Sequence, residues 1–249
     1  MGKIISVIGC KGGCGATTLT SALGHELSAL GNNVCLVDGC IGLRALDIML
    51  RVQDKAVYDF YDLCECICTM DQALIQVKPL LHSLSAPQVD VSRDLDANQL
   101  HNLMIDLKKR FEYVLIDAPD VFSSVCEKFY LNSDENILIT LPGDIAGRNL
   151  ERIGGLIREK TDTPVSCIFN FTQPHSKQAE KLQGLTEYLD IPILGMTPFY
   201  EAVFLEPLDH RAYSAYPGKI KAAMRDAAMR LNEGSSMNNQ KTRRLPWRS

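Results

Sequence analysis

Ile4-Ile5-Ser6-Val7-Ile8-Gly9-Cys10-Lys11-Gly12-Gly13-Cys14-Gly15-Ala16-Thr17-Thr18 joins a β-branched run, a glycine-rich turn and a helix start without interruption. Ile4 to Gly9 predicts a buried strand, because branched side chains fit a pleated, covered surface. From Thr17 to Leu30 apolar residues recur at helical spacing, and Gly31 supplies the left-handed residue that closes a helix. Between strand and helix, the glycines let successive backbone N–H groups curl around an anion, and the helix start adds its dipole and unpaired amides. Val34 to Val37 then reads as a second strand. The unit has the length of a right-handed parallel crossover.

The same alternation continues along the chain. Apolar runs at Tyr113 to Ile116, Ile137 to Leu141, Val165 to Phe169 and Ile193 to Met196 predict further strands. Helical spacing marks Ala97 to Arg110, Ile145 to Glu159, Lys177 to Tyr188 and Lys219 to Leu231. The expected class is α/β: a P-loop NTPase-like, mostly parallel sheet with helices on both faces. A length of 249 residues suits one large α/β domain, expected over 1–232, and 46% hydrophobic with 22% charged residues excludes a disordered or collagenous chain. Residues 233–249 are polar and end in Lys241, Arg243, Arg244 and Arg248, which predicts a flexible basic tail. A net charge of −4 gives no overall electrostatic reason to bind nucleic acid. Nine cysteines without a secretory signal fit a reducing cytoplasm, and no run approaches the roughly 18 apolar residues of a membrane span.

Thr17 stands where a P-loop places a hydroxyl ligand to magnesium. Residues 10–18 resemble the deviant Walker A motif of the MinD and ParA family of ATPases, whose early lysine corresponds to Lys11. In that family this lysine reaches across a nucleotide-sandwich dimer. The resemblance continues through Val37 to Asp47, similar to the family's switch I, and through Val57-Tyr58-Asp59-Phe60 and Asp71 to Ile75. It implies ATP or ADP with magnesium as cofactor, held by Lys11, Gly12, Gly13, Cys14, Gly15, Ala16, Thr17 and Thr18. It also implies that Asn170 reads the adenine edge, that Pro198 offers a backbone contact to the base, and that Thr17 and Asp117 serve the metal.

Three departures bear on the chemistry. Ala16 occupies the position where an ordinary P-loop carries the lysine that reaches the β- and γ-phosphates. Loss of one charge-assisted partner forfeits about 1.5–3 kcal/mol, or roughly ten- to a hundred-fold in affinity. Cys40 stands where the resemblance expects an aspartate that orients the attacking water; a thiol is mostly neutral and a poor acceptor. Val121 replaces a switch II glycine, and its branched side chain disfavours glycine-only backbone. Two readings follow. One is a pseudo-ATPase with weakened or absent hydrolysis that acts through protein partners, such as a catalytically competent relative or a second copy of itself. The other is a working ATP-dependent dimerisation switch, in which Lys11 does both lysine tasks and Asp38 or Asp120 replaces Cys40.

The remaining motifs carry less. The tail has too few apolar residues at helical spacing to anchor in a membrane. Cys64, Cys66 and Cys68 match no common single-chain metal spacing and are expected to pack as small hydrophobes. His25 is expected on the surface of the first helix, and His82, His101, His175 and His210 form no cluster in sequence.

Overall fold

The computed structural model describes residues 2–88, 95–119, 121–172, 177–200 and 212–234, with side chains omitted for 177–180. Eight strands form one sheet in the order β3-β4-β2-β5-β1-β6-β7-β8. They are β1 (Lys3–Gly9), β2 (Val34–Asp38), β3 (Ile75–Lys78), β4 (Leu81–Leu84), β5 (Tyr113–Ala118), β6 (Glu135–Thr140), β7 (Val165–Thr172) and β8 (Ile193–Pro198). All neighbouring pairs are parallel except β3 with β4. This antiparallel edge hairpin was not expected from the sequence. Its strands are four residues each and lack a clear hydrophobic period, so only their pairing identifies them.

Strand periodicity explains the two covered faces. Ile5, Val7, Leu36 and Leu115 point into one hydrophobic layer, whereas Ile4, Cys35, Val37, Val114 and Ile116 point into the opposite one. Helix α1 (Ala16–Ala29) fills the first layer through Leu19, Leu23 and Leu27. A C-terminal helix, Gly218–Glu233, packs beside it through Met224, Ala227 and Leu231. On the other face lie α3 (Phe60–Cys64), α5 (Ala97–Arg110), α6 (Ser124–Leu131) and α7 (Asp144–Lys160), with α8 (Lys177–Leu189) contributing Leu182. Two further short helices are α2 (Ala45–Leu50) and α4 (Met70–Ala73), and the C-terminal helix is α9. Short helices at 45–50, 60–64 and 70–73 were missed because fewer than two turns leave no readable period.

Helix ends follow local chemistry. Asp96 caps α5 by accepting from the N–H groups of Asn98 and Gln99 at 2.8 and 2.9 Å. Gly31 takes φ 95° just beyond α1, the expected closing role. Helix α9 runs through Glu233 and is closed by Gly234 at φ 64°, so the predicted tail starts later than 233; the rest of it lies outside the described residues. His25 does not decorate a free surface: it stacks on Tyr213 with ring centroids 4.5 Å apart. Next to it, buried Glu26 accepts a 2.6 Å hydrogen bond from the Tyr213 hydroxyl. Among the described residues no helix is long and apolar enough to cross a membrane.

Candidate nucleotide and metal site

The C-terminal ends of β1, β2 and β5 meet at one point because β1 and β2 both pair with β5 in parallel. At such a point, loops from neighbouring strands open a crevice. Residues 9–18, Cys40, Asp117, Ala118, Pro119, Val121 and Phe122 line a cleft of about 450 Å³ there. The expected loop residues Lys11, Gly12, Gly13, Cys14, Gly15, Ala16, Thr17 and Thr18 are therefore gathered together, with Asp117 and Cys40 facing them.

The loop is held at several points. Cys10 N donates to Ile139 O on β6 at 2.8 Å, and the Asn149 amide donates to Cys10 O at 3.3 Å. Gly13 and Gly15 take φ 71° and 89°, left-handed values that favour glycine. A Cβ on Gly15 would run into the Asn170 amide. Lys11 is exposed at the rim and is the one basic side chain among the described residues lining the cleft.

Asn170 and Pro198 are not among the lining residues. The Asn170 amide donates to Cys14 O at 2.9 Å, while its oxygen accepts from Phe171 N at 3.0 Å and from the Thr197 hydroxyl. These bonds tie β7 and β8 to the back of the phosphate loop. In this structure the polar atoms of Asn170 thus face the loop and its neighbours. Sequence reading missed this tie and the one from Asn149, since an isolated asparagine carries no spacing signal. Val121 is buried in the hydrophobic cluster that includes Ala118, Cys126, Tyr130 and Leu150.

Asp38 and Asp117 are register partners on adjacent parallel strands. Asp38 accepts from Cys40 N at 2.9 Å and from Leu46 N at 3.1 Å, which holds the loop after β2. Burial, with a contribution from Asp47, lifts its carboxyl from 3.8 to about 6 against those hydrogen bonds and Arg44. Asp117 is more extreme. Burial and the Asp38 charge lift it to about 8, offset in part by the nearby Thr17 hydroxyl. Both of its oxygens are buried without a hydrogen-bond partner among the described residues. An orphaned buried carboxylate beside a threonine hydroxyl fits a divalent cation, which would supply the missing positive charge. Burial and the two neighbouring carboxylates also push the Cys40 thiol up, so it is protonated in the metal-free protein.

The cysteines at 64, 66 and 68 differ in environment. Cys64 packs in the core near Phe60, Cys68 is partly covered, and Cys66 is exposed at φ 57°. Among the described residues the side chains grouped closely enough to hold a metal are Asp38, Cys40 and Asp117. Asp120, His175 and His210 lie outside the described residues.

Residues 2–163 match the family described as AAA domain. Septum site-determining protein MinD of Synechocystis sp. is 32% identical over 241 residues, covering 93% of this chain and 90% of the relative. The chain belongs to the MinD/ParA family. MinD of Bacillus subtilis is 33% identical over 203 residues, covering 79% of this chain and 76% of the relative. Among solved MinD structures, the MinC:MinD cell division protein complex of Aquifex aeolicus superposes with a TM-score of 0.82 at 26% identity, covering 94% of this chain and 97% of that one. MinD of Pyrococcus horikoshii, solved with Mg-ADP, shares the fold at a TM-score of 0.80 and 22% identity, covering 94% of this chain and 97% of that one.

Proposed function

We propose that this chain is a MinD-like pseudo-ATPase that acts in cell division or spatial positioning by recognising protein partners, with weakened or absent ATP hydrolysis. One observation carries this reading: among the described residues lining the cleft Lys11 is the one basic side chain, and a thiol, Cys40, stands beside Asp117. Ala16 cannot reach a phosphate, and Cys40 is a poor acceptor for an attacking water. Asp38 is committed in part to holding the loop after β2, since each of its oxygens accepts one backbone N–H group. The loop amides, Lys11 and the Thr17 hydroxyl remain suited to phosphate, so binding of ATP or ADP survives at reduced affinity. Magnesium, held by Thr17 and Asp117, would neutralise phosphate charge when bound.

The relatives indicate the partner class. An Aquifex aeolicus MinD was solved in complex with MinC, and a comparable protein or a competent MinD-like subunit is the partner expected for this chain. The second reading, a working ATP-dependent switch, draws on the exposed Lys11 and the retained Thr17 and Asp117. Phosphate release with magnesium and ATP separates the two. Turnover at background in the unaltered protein, with a gain after Ala16→Lys combined with Cys40→Asp, supports the pseudo-enzyme. Appreciable turnover in the unaltered protein eliminates it. Calorimetry with ATP and ADP, run with light scattering, reports whether nucleotide binds and drives dimerisation.

A further inference from the structure

Two carboxylates and a thiol converge on the floor of the cleft. One ligating atom from each of Asp38, Cys40 and Asp117 lies within 4.8 Å of the other two. Backbone packing fixes this approach: Gly39 N donates to Asp117 O at 2.9 Å, and Cys40 Sγ lies 3.8 Å from the same carbonyl. A Cβ on Gly39 would stand 2.8 Å from that oxygen and 2.8 Å from the Phe129 ring, so only glycine permits the close strand ends. Asp117 is 1% exposed, and neither of its oxygens has a partner among the described residues. Asp38 retains a lone pair on each oxygen beyond its two backbone bonds. Arg44 pairs with Asp47 at 2.5 Å and offsets the Asp38 charge only in part.

We propose that Asp38, Cys40 and Asp117 form a binding site for a thiophilic divalent cation of the zinc class. Sulfur decides the class. Magnesium takes oxygen donors in near-octahedral geometry, whereas zinc accepts a thiolate together with carboxylate oxygens in a tetrahedral arrangement. Binding displaces the Cys40 thiol proton and the proton held by Asp117, and both are released to solvent. Three protein donors leave a fourth position open to the cleft, where water or a phosphate oxygen completes the sphere. The site needs neither hydrolysis nor bound nucleotide, so its test is separate from the turnover assay.

The full chain, reduced and stripped of metal under anaerobic conditions, is titrated with Co²⁺ without nucleotide. A single equivalent should bind with a thiolate-to-cobalt charge-transfer band that Zn²⁺ displaces and excess Mg²⁺ does not. Cys40→Ser should abolish the band and weaken Zn²⁺ binding at least about 100-fold, because even outer partners of metal sites are worth 10–100-fold. Cys40→Asp, which keeps a donor at the position, should lose the band yet still bind Mn²⁺, so the test stands even if the serine variant misfolds. Serine at positions 64, 66 and 68 together should leave the band intact. The proposal is overturned by a band that survives Cys40→Ser, by one that disappears with the three distal substitutions, or by no band in the unaltered protein.

Discussion

Replacing Asp117 with asparagine should stabilise the metal-free protein at neutral pH, and the gain should shrink as the pH falls. The carboxyl ionises at about 8 in the folded state, through burial and the adjacent Asp38 charge, against 3.8 when unconstrained. The folded protein therefore keeps a proton that the unfolded chain releases near pH 4. This group's stabilising effect is complete below the unfolded value and is lost as the pH climbs through the folded one. Each intervening pH unit removes about 1.4 kcal/mol, so the loss at pH 7 reaches about 4 kcal/mol as an upper limit. Asparagine has nearly the same shape and no titration. It is as unpaired as the protonated acid, so the desolvation penalties largely cancel. A net gain of about 1–4 kcal/mol near pH 7 and almost none near pH 4 follows. Urea unfolding in a chelator, repeated across that pH range, measures it through the midpoint at constant slope. A variant no more stable than the parent at neutral pH, or an offset indifferent to pH, would refute the reasoning. Added magnesium should stabilise the parent and not the variant.

Three further perturbations address supports of the site and a buried contact of the first helix. Gly39→Ala places a methyl against the Asp117 carbonyl and the Phe129 ring and should cost about 1–3 kcal/mol, read as a lowered urea midpoint; an unchanged midpoint would show that the strand ends can part. Asn170→Ala leaves Cys14 O and Phe171 N without their side-chain partner, at about 1–3 kcal/mol. Hydrogen exchange should quicken across residues 10–16, and unchanged exchange there would deny Asn170 its hold on the loop. For His25, burial and the Lys78 charge lower the imidazole from 6.5 to about 4, so its stabilising contribution is present above 6.5 and is lost as the pH falls toward 4. The loss amounts to about 3 kcal/mol. His25→Phe keeps a ring against Tyr213 and should flatten this acid slope; an identical slope in the variant would count against it.

Much of the frame was legible because it rests on short-range patterns. The helix at Ala97–Arg110 was read to its ends from its apolar spacing, which acts locally. The long parallel strands were found from their branched residues, and the phosphate loop from glycines between a strand and a helix. The short elements β3, β4 and α2 were not, because their stability comes from neighbours and not from their own period.

The sequence by itself determined an α/β chain with an anion-binding loop, and it named the unusual residues Ala16 and Cys40. Tertiary structure alone decided what those residues face. Cys40 and Asp117 are 77 residues apart and meet because β2 pairs with β5 in one register. Asn149 and Asn170 reach the loop from distant elements in the same way. Strand pairing sums weak preferences over the whole sheet, so no local pattern specifies which side chains it brings into contact.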